Sequence, residues 1–189
     1  MGKGRIEAFS DGVIAIIITI MVLEIKVPHG EDWASLTPLY PVFLSYVLSF
    51  ANVGIYWNNH HHMFQAVKKV NGAVLMANLH LLFWLSLMPF ATGWMGENHF
   101  AKLPVALYAF DLMMCAIAYT ILTVVLVNCN GKDSEFAKAV EGGAKEKLSL
   151  AAYVLAIPAA LLNQWLGLAI MAVIACIWFI PDRRIEKRL

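Results

Sequence analysis

The chain divides into six long apolar runs separated by short polar stretches, at roughly 8–27, 39–57, 73–93, 104–128, 148–163 and 165–180. A helix needs about 20 mostly apolar residues to cross a bilayer core. The pattern therefore predicts an all-α integral membrane protein with six transmembrane helices per subunit. The runs are too continuous to be alternating barrel strands. The last two runs are short and joined by little more than Asn163 and Gln164, which predicts a tight helical hairpin. Pro28, Pro38, Pro104 and Pro181 stand at run ends, where proline starts or stops a helix. Pro89 and Pro158 lie inside runs and are expected to kink them. Trp33, Trp57, Trp94 and Trp165 fall near run ends, as in an interfacial aromatic belt. The longest polar stretch, "NGKDSEFAKAVEGGAKEKL", predicts a loop with a short surface helix. Residues 1–189 are expected to form one unit with no separate soluble domain.

Composition agrees: 60% of residues are hydrophobic and 14% charged, where a soluble domain carries about 25% charged residues. The net charge of +1 says little, but the placement of the charges says more. With the N-terminus inside, twelve of the 14 lysines and arginines fall on inner segments, among them Lys3, Arg5, Lys68, Lys69, Arg183 and Arg184. Only Lys26 and Lys102 fall outside, so both termini are expected in the cytoplasm. The outer segments also hold Glu24, Glu31, Asp32 and Glu97. Two readings of this acidity stay open: a by-product of the orientation bias, or mild attraction of cations to an outer mouth. Cys115, Cys129 and Cys176 lie in or beside apolar runs, which gives no disulfide framework. No cleavable leader is expected, because Asp11 stands where a charged leader segment should have ended and no small-residue cleavage site follows.

The first run, "RIEAFSDGVIAIIITIMVLEIKVP", carries its candidate chemistry on two faces. At about 100° per residue, Gly12, Ile16, Thr19, Ile20 and Leu23 form one stripe of small, hydroxyl and aliphatic side chains. Ser10 and Asp11 point away from it. A charged group at membrane depth faces protein rather than lipid. Asp11 is therefore expected to anchor the back of this helix against its neighbours, leaving the stripe free to meet something else.

Three stretches carry a resemblance. "RIEAFSD" resembles the R-x-x-x-F-S-D signature of the transmembrane protein 175 family, the endosomal and lysosomal potassium channels and their bacterial relatives, with Arg5, Phe9, Ser10 and Asp11 at the signature positions. "YWNNHHHMF" and "NLHLLFWLSLMPF" look like the family's tryptophan–histidine and N-x-x-x-L…P-F segments. The resemblance implies a homotetramer in which the first helix lines a central pore. It places the constriction at Ile16, with Thr19, Ile20 and Leu23 further along the pore wall. It implies that the signature residues join a polar network with later helices, for which Trp57, His60, His61 and Asn78 are the candidates. Potassium ions in the pore and the lipid bilayer are the implied partners, with the cell membrane as location; no cofactor and no nucleic acid are implied.

The chain has no T-V-G-Y-G segment, so a carbonyl filter of the usual potassium-channel type is excluded. Weak to moderate potassium preference would come instead from the isoleucine ring. An enzyme of the membrane desaturase type would need several histidine clusters, and this chain has one. Consecutive helical residues such as His60, His61 and His62 diverge too far to share a metal ion, since helical metal sites use i and i+4 spacing. The alternatives are a secondary transporter, which would show an internal repeat and paired broken helices, and a proton-permeable cation channel. Asp111 lies seven residues into the fourth run. It reads either as water-exposed near the outer surface or as a functional intramembrane acid.

Overall fold

A computed structural model describes residues 2–179, and these are helical with short connections. The order is α1 (Lys3–Leu23), a 3₁₀ turn (Trp33–Leu39), α2 (Tyr40–Ala66), α3 (Gly72–Glu97), α4 (Lys102–Asn130), α5 (Glu135–Val140), α6 (Ala144–Leu162) and α7 (Gln164–Phe179). Pro181, Arg183, Arg184, Lys187, Arg188 and the end of the last apolar run lie outside the described residues. Among the described residues, four segments are long and apolar enough to cross a membrane: α1, the 3₁₀ turn with α2, α3, and α4. α6 and α7 span 19 and 16 described residues and form the expected hairpin.

The helices outrun the apolar runs at their polar ends. α1 starts at Lys3 rather than near residue 8, and stops at Leu23 instead of continuing to 27. α2 continues to Ala66, so Trp57 through His62 are helical rather than terminal. Hydropathy records depth in lipid, whereas backbone hydrogen bonding carries the helix into the polar zone until a cap or a breaker intervenes. Asn71 accepts from Val74 N at 3.0 Å to open α3, and Ser134 accepts from Ala137 N at 3.1 Å to open α5. The α2–α3 connection is tied to the end of α4. There Asn130 Oδ1 accepts from the backbone N–H of Lys68 and Lys69 at 3.0 and 2.9 Å. α3 and α6 run through Pro89 and Pro158 as continuous helices.

α3 sits at the centre, packed on α1, α2 and α4, while α4 packs on α6 and α7. Small residues permit the closest approaches, as in membrane bundles generally. A Cβ on Gly96 would lie 2.8 Å from Val42 Cα, and one on Gly167 would lie 2.6 Å from Ala160 Cβ and 2.9 Å from its Cα. The second contact is with the Cβ and Cα of Ala160, which no side-chain rotation can move aside. Gly167→Ala is therefore expected to pry α6 from α7 and cost about 2 kcal/mol. The check is a lower Tm of the purified protein in detergent; an unchanged Tm would contradict this packing.

Candidate functional site

α1 is two-faced in the folded chain. Ile6, Ser10, Ile14, Ile17 and Met21 are buried, and α1 rests on α2 and α3. The opposite face is left uncovered by the described residues: Ile16 is 58% exposed and Leu23 78%, with Phe9 and Ile20 also exposed. Arg5, Gly12 and Thr19 are exposed on that same side. Thr19 Oγ1 donates to Ile16 O at 2.9 Å, which leaves the hydroxyl's lone pairs as its outward-facing chemistry.

The buried face is anchored by polar side chains. Asn78 of α3 donates through Nδ2 to Ser10 Oγ at 2.9 Å, and its Oδ1 lies 2.8 Å from His60 Nε2 of α2. Ser10, Asn78 and His60 are 0%, 1% and 1% exposed. The His60 ring also stacks on Phe64, with centroids 4.5 Å apart. This three-residue chain fixes the rotation of α1 about its own axis, because only one helical face carries Ser10. Lys3 adds a tether at the helix start, donating to Phe64 O at 2.9 Å near the C-terminal end of α2.

Asp11 meets a neighbouring helix, as its charge predicts, but from the flank of α1 rather than from its most buried face. It is half-buried at the flank of α1, where Trp57 Nε1 donates to its Oδ1 at 3.0 Å. The uncharged Ser10 fills the deep position, since a hydroxyl is far less costly to desolvate than a carboxylate. His61 stacks on Trp57 at 5.9 Å and lies 2.8 Å from Gln65 Nε2. The structure thus joins Ser10, Asn78 and His60 in one chain and Asp11, Trp57 and His61 in another. Arg5 and Phe9 belong to neither.

A second buried polar cluster was not singled out from the sequence. The Thr92 hydroxyl lies 2.6 Å from Ser49 Oγ, which is 3.0 Å from the Tyr108 hydroxyl, and Asn52 Nδ2 reaches the same hydroxyl at 3.3 Å. Its signal was present: Ser45, Ser49 and Asn52 share one face of α2 at helical spacing inside an apolar run. Asp111 is 4% exposed, which overturns the water-exposed reading, and neither carboxylate oxygen has a hydrogen-bond partner. Asp111→Leu removes those two unpartnered atoms at an equal count of side-chain heavy atoms. An equal or higher Tm in detergent is expected, with a gain of about 1 kcal/mol. A clear loss of stability would mean that the carboxyl is bonded in the native protein.

Comparison with known proteins bears on what this arrangement is for. The family model described as endosomal/lysosomal potassium channel TMEM175 matches residues 5–89. A protein named as a potassium channel from Chryseobacterium sp. (strain P1-3) is 59% identical over 189 residues, covering 100% of this chain and 98% of that one. The human endosomal/lysosomal proton channel TMEM175 is 36% identical over 116 residues, which is 55% of this chain and 23% of the human one. The crystal structure of a lysosomal potassium-selective channel TMEM175 homologue from Chamaesiphon minutus is similar at a TM-score of 0.84 and 30% identity, covering 95% of this chain and 97% of that one.

Proposed function

This chain belongs to the TMEM175 family of ion channels, and on that premise we propose that it is a potassium-preferring cation channel of the cell membrane. Its family and structural neighbours are channels, not enzymes. In this reading the chain crosses the membrane six times with both termini in the cytoplasm, and residues 1–189 act as one unit. Four subunits surround a central axis, each contributing α1, with potassium and lipid as the surroundings.

The observation that carries this reading is the exposed stripe of α1. A rotationally anchored helix holds out Ile16, Thr19, Ile20 and Leu23, and none of the described residues covers them. One helix per subunit cannot enclose a pore, whereas four can. The same four-fold symmetry brings the bare faces of neighbouring copies together around the axis through head-to-tail contacts.

Ile16 forms the constriction in this proposal. A ring of isoleucines offers no oxygen to replace hydration water, so each ion passes at the cost of distorting its shell. Sodium holds its water more tightly than potassium and is penalised more. Such a ring also closes readily by dewetting. Arg5, Phe9 and Gly12, on the same side, line the approach from the helix start. Ser10, Asn78 and His60, with Asp11, Trp57 and His61 beside them, hold the helix in register rather than touch the ion.

The test is reconstitution into liposomes under opposed potassium and sodium gradients. A reversal potential displaced towards potassium, with single-channel steps, is expected; saturable coupled uptake without channel steps would make the protein a transporter. The vertebrate relatives named as proton channels favour one second reading, in which protons also pass. A pH-sensitive dye trapped in the same liposomes separates the two.

A further inference from the structure

Away from α1, a cleft of about 480 Å³, open space at its mouth included, lies between α2, α4, α6 and α7. Its aromatic walls are Tyr56, Tyr119, Tyr153 and Trp178, and Glu146 of α6 reaches into it half-buried. No residue of α1 lines it, so it stands apart from the proposed pore and its fate does not depend on that reading.

The polar atoms of the cleft are unevenly committed. Asn52 and Asn59 each donate through Nδ2 to the carbonyl four residues back, Leu48 O at 3.0 Å and Ile55 O at 2.8 Å. A carbonyl can accept only from the amide nitrogen, so these bonds fix both amides with Oδ1 unbonded. Thr120 donates to Ala116 O at 2.8 Å, and Ser149 donates to Lys145 O at 2.7 Å while accepting from Trp178 Nε1. Among the described residues, the Glu146 carboxylate and the hydroxyls of Tyr56, Tyr119 and Tyr153 have no hydrogen-bond partner. What remains is therefore a set of acceptors, one of them charged, together with hydroxyls that can accept. The asparagine and indole donors are already in use.

A ligand for this cleft must be a cation rich in donors. A primary ammonium has three N–H donors and no acceptor. It gains a charge-assisted bond from Glu146 and attraction to the aromatic faces. Trp178 already receives one ammonium, that of Lys145, 5.7 Å from its ring centroid. Beyond Glu146 the cleft continues past Lys145 and Glu141, so among the described residues that line it carboxylates outnumber ammonium groups. Ile55, Ala116 and Ala175 supply the apolar lining that a short alkyl chain requires.

We propose that this cleft is a binding site for a primary alkylammonium group, held by Glu146, the asparagine carbonyl oxygens and the tyrosine hydroxyls. The group comes either from a free amine or from an ethanolamine lipid headgroup, and the chemistry is the same for both.

The test uses the purified full-length protein in detergent, titrated calorimetrically with n-butylammonium chloride against protein-free micelles. One site per chain is expected. Tetramethylammonium, which has no N–H donor, and n-butanol, which has no charge, should each bind about tenfold more weakly or not at all. Glu146→Gln should weaken n-butylammonium by about tenfold at unchanged Tm. If that variant fails to fold, Tyr119→Phe, which removes only a hydroxyl, should weaken it by roughly threefold or more. Equal binding of n-butylammonium and n-butanol, or indifference to both substitutions, would overturn the site. Nanodiscs with and without phosphatidylethanolamine then decide the source. Competition by that lipid identifies a headgroup and undiminished n-butylammonium affinity a free amine, and either result upholds the ammonium site.

Discussion

Replacing Ile16 with Asn should enlarge the currents and move the reversal potential under a potassium–sodium gradient towards the non-selective value. Ile16 lies at the centre of the bare face of α1, with Gly12 and Ile20 one turn to either side, and is more than half exposed in the single chain. Four copies meeting on an axis would make a dry ring. An asparagine amide donates and accepts, so it lets water stay with the ion through the narrow point. The barrier falls for both ions, and it falls more for the one that was penalised more. If about 1.4 kcal/mol of discrimination resides at this ring, its loss changes the permeability ratio by roughly tenfold. Thr19→Val, nearly one turn further along, should change the ratio far less, because the Thr19 proton is already bonded to Ile16 O. The measurement is bi-ionic recording from channels of matched assembly. An Ile16→Asn channel that assembles normally and keeps both conductance and reversal potential would move the pore away from this face.

The two faces of α1 could be read from the sequence because polar groups are so sparse there that a wheel separates them without help. Which polar residue would be buried could not. Charge drew attention to Asp11, yet the deep position belongs to Ser10, and the difference is one residue, or about 100° of rotation. Only the positions of Asn78 and His60 on the facing helices decide it, and those are long-range facts. Arg5 and Phe9 show the same limit: a signature groups them with Ser10, while helical geometry sets them on the opposite side. The buried Ser49, Asn52, Thr92 and Tyr108 cluster was partly legible through its spacing on α2. Its partner from α4 was not, since a tyrosine in an apolar run looks like any other aromatic. Helix ends differ from the ends of the apolar runs because apolarity and helicity end for different reasons.

Asn78→Leu should be the most damaging single change in the anchor, at about 3–5 kcal/mol. Asn78 serves both neighbours at once, donating to Ser10 and accepting from His60. Leucine leaves a buried hydroxyl and a buried imidazole N–H without partners, and each orphaned group costs about 1–3 kcal/mol where no water reaches. The side-chain heavy-atom count is unchanged, but leucine is bulkier than the amide, so an overpacking cost adds to the polar one. Asp11→Ala should cost less in the isolated subunit, about 1 kcal/mol, because Trp57 is 44% exposed and its indole N–H can turn to water. Thermal unfolding in detergent, followed by fluorescence-detected size exclusion, ranks the two. A reversed ranking would mean that assembly buries Asp11 more deeply than the single chain does. A rescue experiment separates the polar explanation from simple misfit. If orphaned groups cause the damage, adding Ser10→Ala and His60→Phe to Asn78→Leu removes them, and an all-apolar contact of similar volume should recover most of the lost Tm. If leucine merely packs badly, the two extra substitutions would deepen the loss. Recovery of the Tm would also leave α1 without its polar register pin. The rescued protein is then expected to fold yet show broadened or unstable currents, because the rotation that presents Ile16 would no longer be fixed.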